Sequence, residues 1–390
     1  MQIQKVVLIY RNDLLPLSET FIRQQSSALK EWRPILVGRR LANQLGLENL
    51  EVRTIGPASP TLGARASWKI AMALGHLPRR SKALLQSDQV RLLHAHFATD
   101  ALGAWPVARA LRVPMLVTLH GYDINTDREW WERGNAGFTM RFYPRRILSL
   151  ARQKDVHFVA VSEALRRQAI KFGIAPDKIS VEYIGIDANS FVPGPTPISR
   201  RHKDVLFVGR LVEKKGCEYL IQAMSKVCAH VPGSRVIIIG DGPLRKELEA
   251  LATTLNVKAE FCGAQDTSYV KRALDAARVF CLPSITARNG DAEGFGLVLL
   301  EAQASGVPVV TSARGGAEEG VLDGVTGYCF PERNAAELEG RLIELLTRDD
   351  ITDQMSVRAV KYVRDNFDLS KRTRELERLY DFVSQIDSRQ

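Results

Sequence analysis

Residues 204–216 read Asp-Val-Leu-Phe-Val-Gly-Arg-Leu-Val-Glu-Lys-Lys-Gly. Four apolar residues end at a glycine, and a basic loop follows. That is the pattern of a buried strand feeding a loop at its carboxyl end. A helical pattern then runs from Cys217 to Val231, followed by a strand at Arg235–Ile239 and a helix at Pro243–Thr254. The same alternation fills the first half. Strands are expected at Lys5–Tyr10, Pro34–Gly38, Val90–Ala95, Met115–Leu119 and His157–Val161, with a helix at Glu19–Lys30. Ser162 reads as the N-cap of a helix beginning at Glu163. Strands interleaved with helices imply parallel sheets with right-handed crossovers. The fold class is therefore α/β, with ligands expected at the carboxyl ends of the strands.

The 390 residues are 45% hydrophobic and 25% charged, ordinary for globular protein and unlike a disordered or collagen-like chain. No uncharged run approaches the about 18 residues of a membrane span; Ala101–Leu119 is interrupted by Arg109 and Arg112. After Lys5 the apolar run ends at Arg11, short of the about 7–15 residues of a secretory leader. All five cysteines follow residue 216 and none are in CxxC spacing, so they read as reduced thiols of a cytoplasmic protein. Pro193, Pro195 and Pro197 around Gly194 give 191–203 a linker composition. The expected domains are 1–190, 204–370 and a C-terminal helix at 371–390 that can pack back on the first domain.

Charge is divided unevenly. Residues 1–190 hold 27 basic and 16 acidic residues, while the rest hold 27 and 28. The excess faces something anionic or serves solubility. No GxGxxG follows the first strand, which continues as Arg11-Asn-Asp-Leu14, and no P-loop or Asp-x-Asp occurs. A diphosphate would then need cationic side chains and helix N-termini. Arg210 and Lys215, just beyond a strand end, fit that need, although alone they also fit a solvated loop. Residues 293–301, Glu-Gly-Phe-Gly-Leu-Val-Leu-Leu-Glu, set one carboxylate before a glycine turn and a second about two helical turns further on. Gly240-Asp-Gly-Pro243 and Ala313-Arg-Gly-Gly-Ala-Glu-Glu319 complete the constellation.

The elements 208–216, 239–243, 293–302 and Gly306-Val-Pro-Val-Val310 resemble retaining nucleotide-sugar glycosyltransferases of family 4. Leu17-Ser-Glu-Thr-Phe21, His94-Ala-His-Phe97 and Thr118-Leu-His-Gly-Tyr-Asp123 resemble its bacterial exopolysaccharide and lipopolysaccharide branch. The resemblance implies the GT-B fold, two facing Rossmann-like doubly wound domains with the active site in the inter-domain cleft. It implies that the C-terminal domain binds a UDP- or GDP-sugar donor and the N-terminal domain a glycan or glycolipid acceptor. By the same resemblance Arg210 and Lys215 bind the diphosphate and Glu301 the ribose hydroxyls. Glu293 and the backbone of Gly294, Phe295 and Gly296 meet the transferred sugar, and His120 lies near the reacting centre. Glu293 and His120 are the catalytic candidates. Ser18 or Thr20 could replace the glycine pair that many relatives carry after the first strand, and Ile184-Gly185 stands where many have Asn-Gly. No cofactor is expected beyond the nucleotide sugar. His94, His96 and His120 lack a fourth ligand, so no metal is expected.

A nucleotide-sugar epimerase, a glycan phosphorylase of the same fold and a nucleic-acid binder are the competing classes. The basic residues are scattered without a nucleic-acid motif, so no nucleic-acid partner is expected. Residues 128–146 combine Trp130, Trp131, Phe138, Phe142 and Tyr143 with Arg128, Arg133, Arg141, Arg145 and Arg146. Trp68–Leu85, with Arg79, Arg80 and Lys82, offers a second such stretch. Both suit docking on an anionic membrane surface, giving a peripheral location on the inner face of the cell membrane. The alternative is that these aromatics pack into the core.

Overall fold

A computed structural model describes residues 4–385 except 15–18, 43–45, 47–49, 58–60, 87–88 and 313–314, and except the side chains of Lys69 and Ala73. Ser18, Ala313 and Arg314 thus lie outside the described residues, as does the end of the expected C-terminal helix. Contacts divide the chain into two units, Met1–Gly185 with Leu369–Gln390, and Ile186–Asp368.

The strands of the first unit are β1 (Lys5–Leu14), β2 (Trp32–Leu41), β3 (Glu51–Thr54), β4 (Val90–His96), β5 (Met115–Leu119), β6 (Val156–Ala160) and β7 (Ile179–Val181). They form one sheet in the order β3-β2-β1-β4-β5-β6-β7, with every pairing parallel. β5 and β6 are buried along their whole length, as strands covered on both faces must be. The order reverses between β1 and β4, and the carboxyl ends there are the expected ligand position. Ser162 caps the helix Glu163–Phe172, its hydroxyl accepting from the Leu165 N–H at 3.1 Å.

β1 runs four residues further than its apolar stretch predicts. Asp100 accepts from the Asn12 backbone N–H at 2.7 Å and from its side-chain amide at 2.8 Å. Arg40 pairs with Asp13. Polar residues extend the strand because side chains distant in sequence satisfy them.

The last helix, Leu369–Ser384, belongs to the first unit by its contacts. Leu376, Leu379, Tyr380 and Val383 join the core cluster of Val7, Ile9, Trp32 and Leu116. The buried Glu377 Oε1 accepts the backbone N–H groups of Lys30, Glu31 and Trp32 at 2.8, 2.7 and 3.1 Å. Asp381 accepts from the Trp32 indole at 3.1 Å and pairs with Lys5 at 2.6 Å.

In the second unit β8 (Asp204–Val208), β9 (Arg235–Ile239), β10 (Ala259–Gly263), β11 (Val279–Leu282), β12 (Val309–Ser312) and β13 (Gly327–Phe330) are also all parallel. Their order is β10-β9-β8-β11-β12-β13, reversing between β8 and β11. Residues 191–203, linker-like in composition, are packed into this unit. They include a short 3-10 turn at Ile198–Arg200 and bury Phe191, Ile198 and Arg201. Arg201 donates to the carbonyls of Thr196, Leu274 and Ala277. By its contacts this unit begins at Ile186.

Candidate active site

The switch point of the second sheet carries the cations. Gly209 and Arg210 follow β8, with Arg210 exposed. The 3-10 turn Glu213–Lys215 comes next, and Gly216 (φ 60°) opens the helix Cys217–His230. A Cβ on Gly216 would lie 1.9 Å from the Pro283 carbonyl, so only glycine lets this turn sit against the end of β11. The same constraint explains Gly240-Asp-Gly242. Cβ atoms there would meet the Gly209 carbonyl at 1.9 Å and the Leu211 carbonyl at 2.4 Å. Those glycines allow two loops to approach.

Beyond β11 the chain reaches Glu293. Its Oε2 is 2.5 Å from Lys215 Nζ, both side chains being largely sheltered, and the Ser284 hydroxyl donates to it at 3.4 Å. Burial would raise this carboxyl, but Lys215 and Lys214 outweigh it and hold the group down to about 2. Two residues earlier, Asp291 Oδ2 pairs with Lys214 Nζ at 2.9 Å. Gly296 (φ 79°) is the N-cap of the helix Leu297–Ala304. The Phe295 ring is buried, 5.5 Å from that of Phe367. A ligand contact at Phe295 therefore falls to its backbone. Glu301 is half-buried on this helix, and burial pushes its carboxyl up to about 7 against the opposing pull of Lys271. The structure thus joins Lys215 directly to Glu293, whereas the cation acting on Glu301 is Lys271.

In the first unit His120 follows β5 and Phe97 follows β4. His120 Nε2 is 3.0 Å from His96 Nδ1, and the rings of Phe97 and Phe21 lie 4.4 and 5.1 Å from the His120 ring. Burial, then Arg11 and His94, pull the His120 imidazole well below its usual range, so it is neutral near pH 7. Asp123 fixes the strand end. It accepts the N–H groups of Ala98 at 2.7 Å, His120 at 3.2 Å and Gly121 at 3.0 Å. Burial raises the Asp123 carboxyl to about 6 despite those bonds. His94 has a structural place: its nitrogens meet Tyr380 Oη at 2.7 Å and Thr118 Oγ1 at 2.6 Å, and burial lowers it to about 3. Thr20 opens the helix Thr20–Ser27. Among the described residues, no three His, Cys, Asp or Glu side chains are grouped to hold a metal ion.

Sequence reasoning passed over Arg11. Its guanidinium pairs with both Glu19 and Asp100, and lies 4.3 Å from the centre of the Phe97 ring. Two carboxylates thus neutralise this cation within β1. The aromatics of 128–146 divide. Trp131 and Tyr143 are core residues, which removes them from any surface role, and the Tyr143 hydroxyl donates to the Asp123 carbonyl at 2.5 Å. Phe138 and Phe142 are exposed by 72% and 44%, with Arg141 over both rings. Arg145 and Arg146 are also exposed. In the second stretch Trp68 is buried, its indole donating to the Ile55 carbonyl at 2.8 Å, while Ile70 and Leu74 are exposed. Among the described residues no helix is long and apolar enough to cross a membrane.

The two units are doubly wound α/β sheets, and the second carries a sheltered Lys215–Glu293 pair at its switch point. The model of glycosyltransferase family 4 matches residues 19–190, and that of glycosyl transferases group 1 matches residues 193–364. A Salmonella typhimurium protein assigned as the colanic acid biosynthesis glycosyltransferase WcaL is 31% identical over 294 residues, 74% of this chain and 70% of that one. The GDP-mannose-dependent monoacylated alpha-(1-6)-phosphatidylinositol monomannoside mannosyltransferase of Corynebacterium glutamicum is 32% identical over 260 residues, covering 63% of this chain and 64% of that relative. The crystal structure of Anabaena HepE with UDP and glucose superposes with a TM-score of 0.78 at 20% identity, over 97% of this chain and all of that one. The chain belongs to the family 4 glycosyltransferases, and its fold is GT-B.

Proposed function

We propose that this glycosyltransferase moves a hexose from a UDP- or GDP-sugar to a hydroxyl of a glycan or glycolipid acceptor, with retention of anomeric configuration and without a metal. Polysaccharide assembly of the exopolysaccharide or lipopolysaccharide kind is the setting. The observation that carries this reading is the Lys215–Glu293 pair at the switch point of the second sheet, with Arg210 just beyond the end of β8. The bond from the anomeric carbon to the leaving phosphate oxygen breaks, and a bond from that carbon to the acceptor oxygen forms. The acceptor hydroxyl proton passes to the departing phosphate. Arg210 and Lys215 stabilise the charge gathering on the diphosphate. Glu293, released from Lys215, accepts hydrogen bonds from the sugar, and Glu301 accepts them from the ribose. Neutral His120 contributes a hydrogen bond near the reacting centre. Relatives named for colanic acid and phosphatidylinositol mannoside chemistry support the choice of acceptor class.

Thermal-shift measurements with UDP-, GDP- and ADP-sugars test the donor. A ligand at 100 times its dissociation constant adds about 2.7 kcal/mol. Stabilisation by one base class, followed by sugar transfer to a glycan acceptor, is expected. Turnover of the nucleotide sugar without an acceptor would favour an epimerase, and phosphate-dependent release of sugar phosphate from glycan a phosphorylase.

A second reading concerns place. The exposed Phe138 and Phe142 with Arg141, Arg145 and Arg146 support peripheral docking of the first unit on the anionic inner face of the cell membrane.

A further inference from the structure

The turn Glu213–Lys215 meets the loop before the helix Leu297–Ala304 through three successive side chains. Glu213 Oε1 accepts the Arg288 backbone N–H at 3.2 Å and lies 3.6 Å from its guanidinium. Lys214 pairs with Asp291 at 2.9 Å, and Lys215 with Glu293 at 2.5 Å. The backbone fastens the same contact, the Ile285 N–H donating to the Lys214 carbonyl at 2.8 Å. The outer pair is weak, because the Arg288 side chain is 94% exposed. The two lysine pairs are sheltered, all four side chains being 12–14% exposed. Asp291 Oδ1 is buried and has no hydrogen-bond partner among the described residues, so Lys214 is this carboxylate's main compensation.

We propose that Lys214 is a positioning residue for the donor site: by occupying Asp291, it leaves Lys215 with one carboxylate, Glu293, from which a phosphate oxygen can take it over. This rests on the reading of Arg210 and Lys215 as the donor's cations. With two lysines and two carboxylates the edge is balanced, and each lysine has its own partner. Without Lys214, a sheltered Asp291 stands uncompensated close to Glu293. Lys215 is then drawn between two carboxylates, and an incoming diphosphate meets a net negative edge. Arg210 is compromised as well, because it lies within electrostatic reach of Asp291.

Calorimetric titration of the full chain with UDP and GDP tests this, together with donor KM and kcat. Lys214→Met is expected to weaken nucleotide binding about tenfold, acting on donor KM more than on kcat. Lys214→Arg should bind like the unaltered chain. The decisive variant is Lys214→Met with Asp291→Asn, which removes both ends of the pair and should recover most of the lost affinity. If that double variant binds as weakly as Lys214→Met, Lys214 touches the diphosphate itself and the inference is overturned. Unchanged binding by Lys214→Met overturns it too. Should Lys214→Met lack a cooperative thermal transition, Asp291→Asn alone decides. An unpaired Lys214 should tighten nucleotide binding and steepen its salt dependence, and unchanged or weaker binding refutes the proposal. Lys215→Ala is the separate check on the donor site: if it binds UDP and GDP normally, that reading falls, and the role of Lys214 with it.

Discussion

Lys215 and Glu293, 78 positions apart in sequence, share a 2.5 Å charge-assisted contact at the carboxyl end of the second sheet. The carboxyl, held down to about 2, remains ionised throughout the working pH range. Its stabilising contribution is full above the ordinary carboxylate range, declines as pH falls below that range, and is gone below about 2. Replacing Arg210 or Lys215 by Ala should lower kcat/KM about 10- to 100-fold, the worth of one charge-assisted bond. Arg210→Lys should also lose activity, because the planar fork is gone. Steady-state kinetics across donor concentrations checks this, and near-normal values in both alanine variants would remove the second unit from donor binding.

Glu301 should make nucleoside binding pH-dependent. Its carboxyl, pushed up to about 7 by burial, is partly protonated near neutrality. The ionised form is the better acceptor for ribose hydroxyls, so affinity should rise from pH 6 to 8. Glu301→Gln should flatten the profile. In the free protein the sign is opposite: a raised folded value favours the protonated form, so this group's contribution to stability falls as pH climbs towards 7. Titration of a nucleoside diphosphate at several pH values reads the first effect, and thermal melts read the second.

His120→Ala should reduce turnover far more than nucleotide affinity, since the proposed donor cations lie in the other unit. The ring is neutral because burial, Arg11 and His94 disfavour its charge. Its protonation should therefore not appear as a limb between pH 6 and 8. Selective loss of UDP or GDP binding in this variant would contradict the assignment.

Vesicle flotation examines the basic face. Binding should require anionic lipid, weaken with salt, and drop when Arg141, Arg145 and Arg146 become Glu, at about 1 kcal/mol for each basic residue near the surface. Phe138→Ser with Phe142→Ser should weaken it further without unfolding the chain, because both rings are exposed. Equal recovery on neutral vesicles would leave the charge asymmetry without this explanation.

Glu377→Ala should destabilise the first unit by about 1–3 kcal/mol, because the backbone N–H groups of Lys30, Glu31 and the buried Trp32 lose their shared acceptor. Denaturant unfolding with separate probes for the two units measures it, and a change below about 0.5 kcal/mol would mean that water replaces the carboxylate fully.

The strands were legible because buried parallel strands are short apolar runs ended by turn residues. Met115–Leu119, Asp204–Val208 and Arg235–Ile239 coincide with the observed elements. The loops after β8 and before Leu297 stood out because their glycines and charges are close in sequence. What escaped depends on partners far away. β1 continues through Arg11-Asn12-Asp13 because Asp100 and Arg40 answer those polar groups. Lys215 and Glu293 were each legible, but their pairing, and that of Lys214 with Asp291, was not. Trp131 and Tyr143 go inward while Phe138 and Phe142 stay outside, although composition alone treats the four alike.

The helix Leu369–Ser384 completes a unit that began some 370 residues earlier, and this orders events on the ribosome. When β1 and β2 emerge, the N–H groups of Lys30, Glu31 and Trp32 have no carboxylate to meet, and Trp32 and Leu116 lack part of their cover. The intervening 186–368 forms its own sheet and can fold as it is made. The first unit lacks that acceptor and that cover until the helix Leu369–Ser384 leaves the tunnel. Nascent-chain lengths stalled before that release should leave it protease-sensitive, and a chaperone that shields apolar surface has its opportunity during that interval.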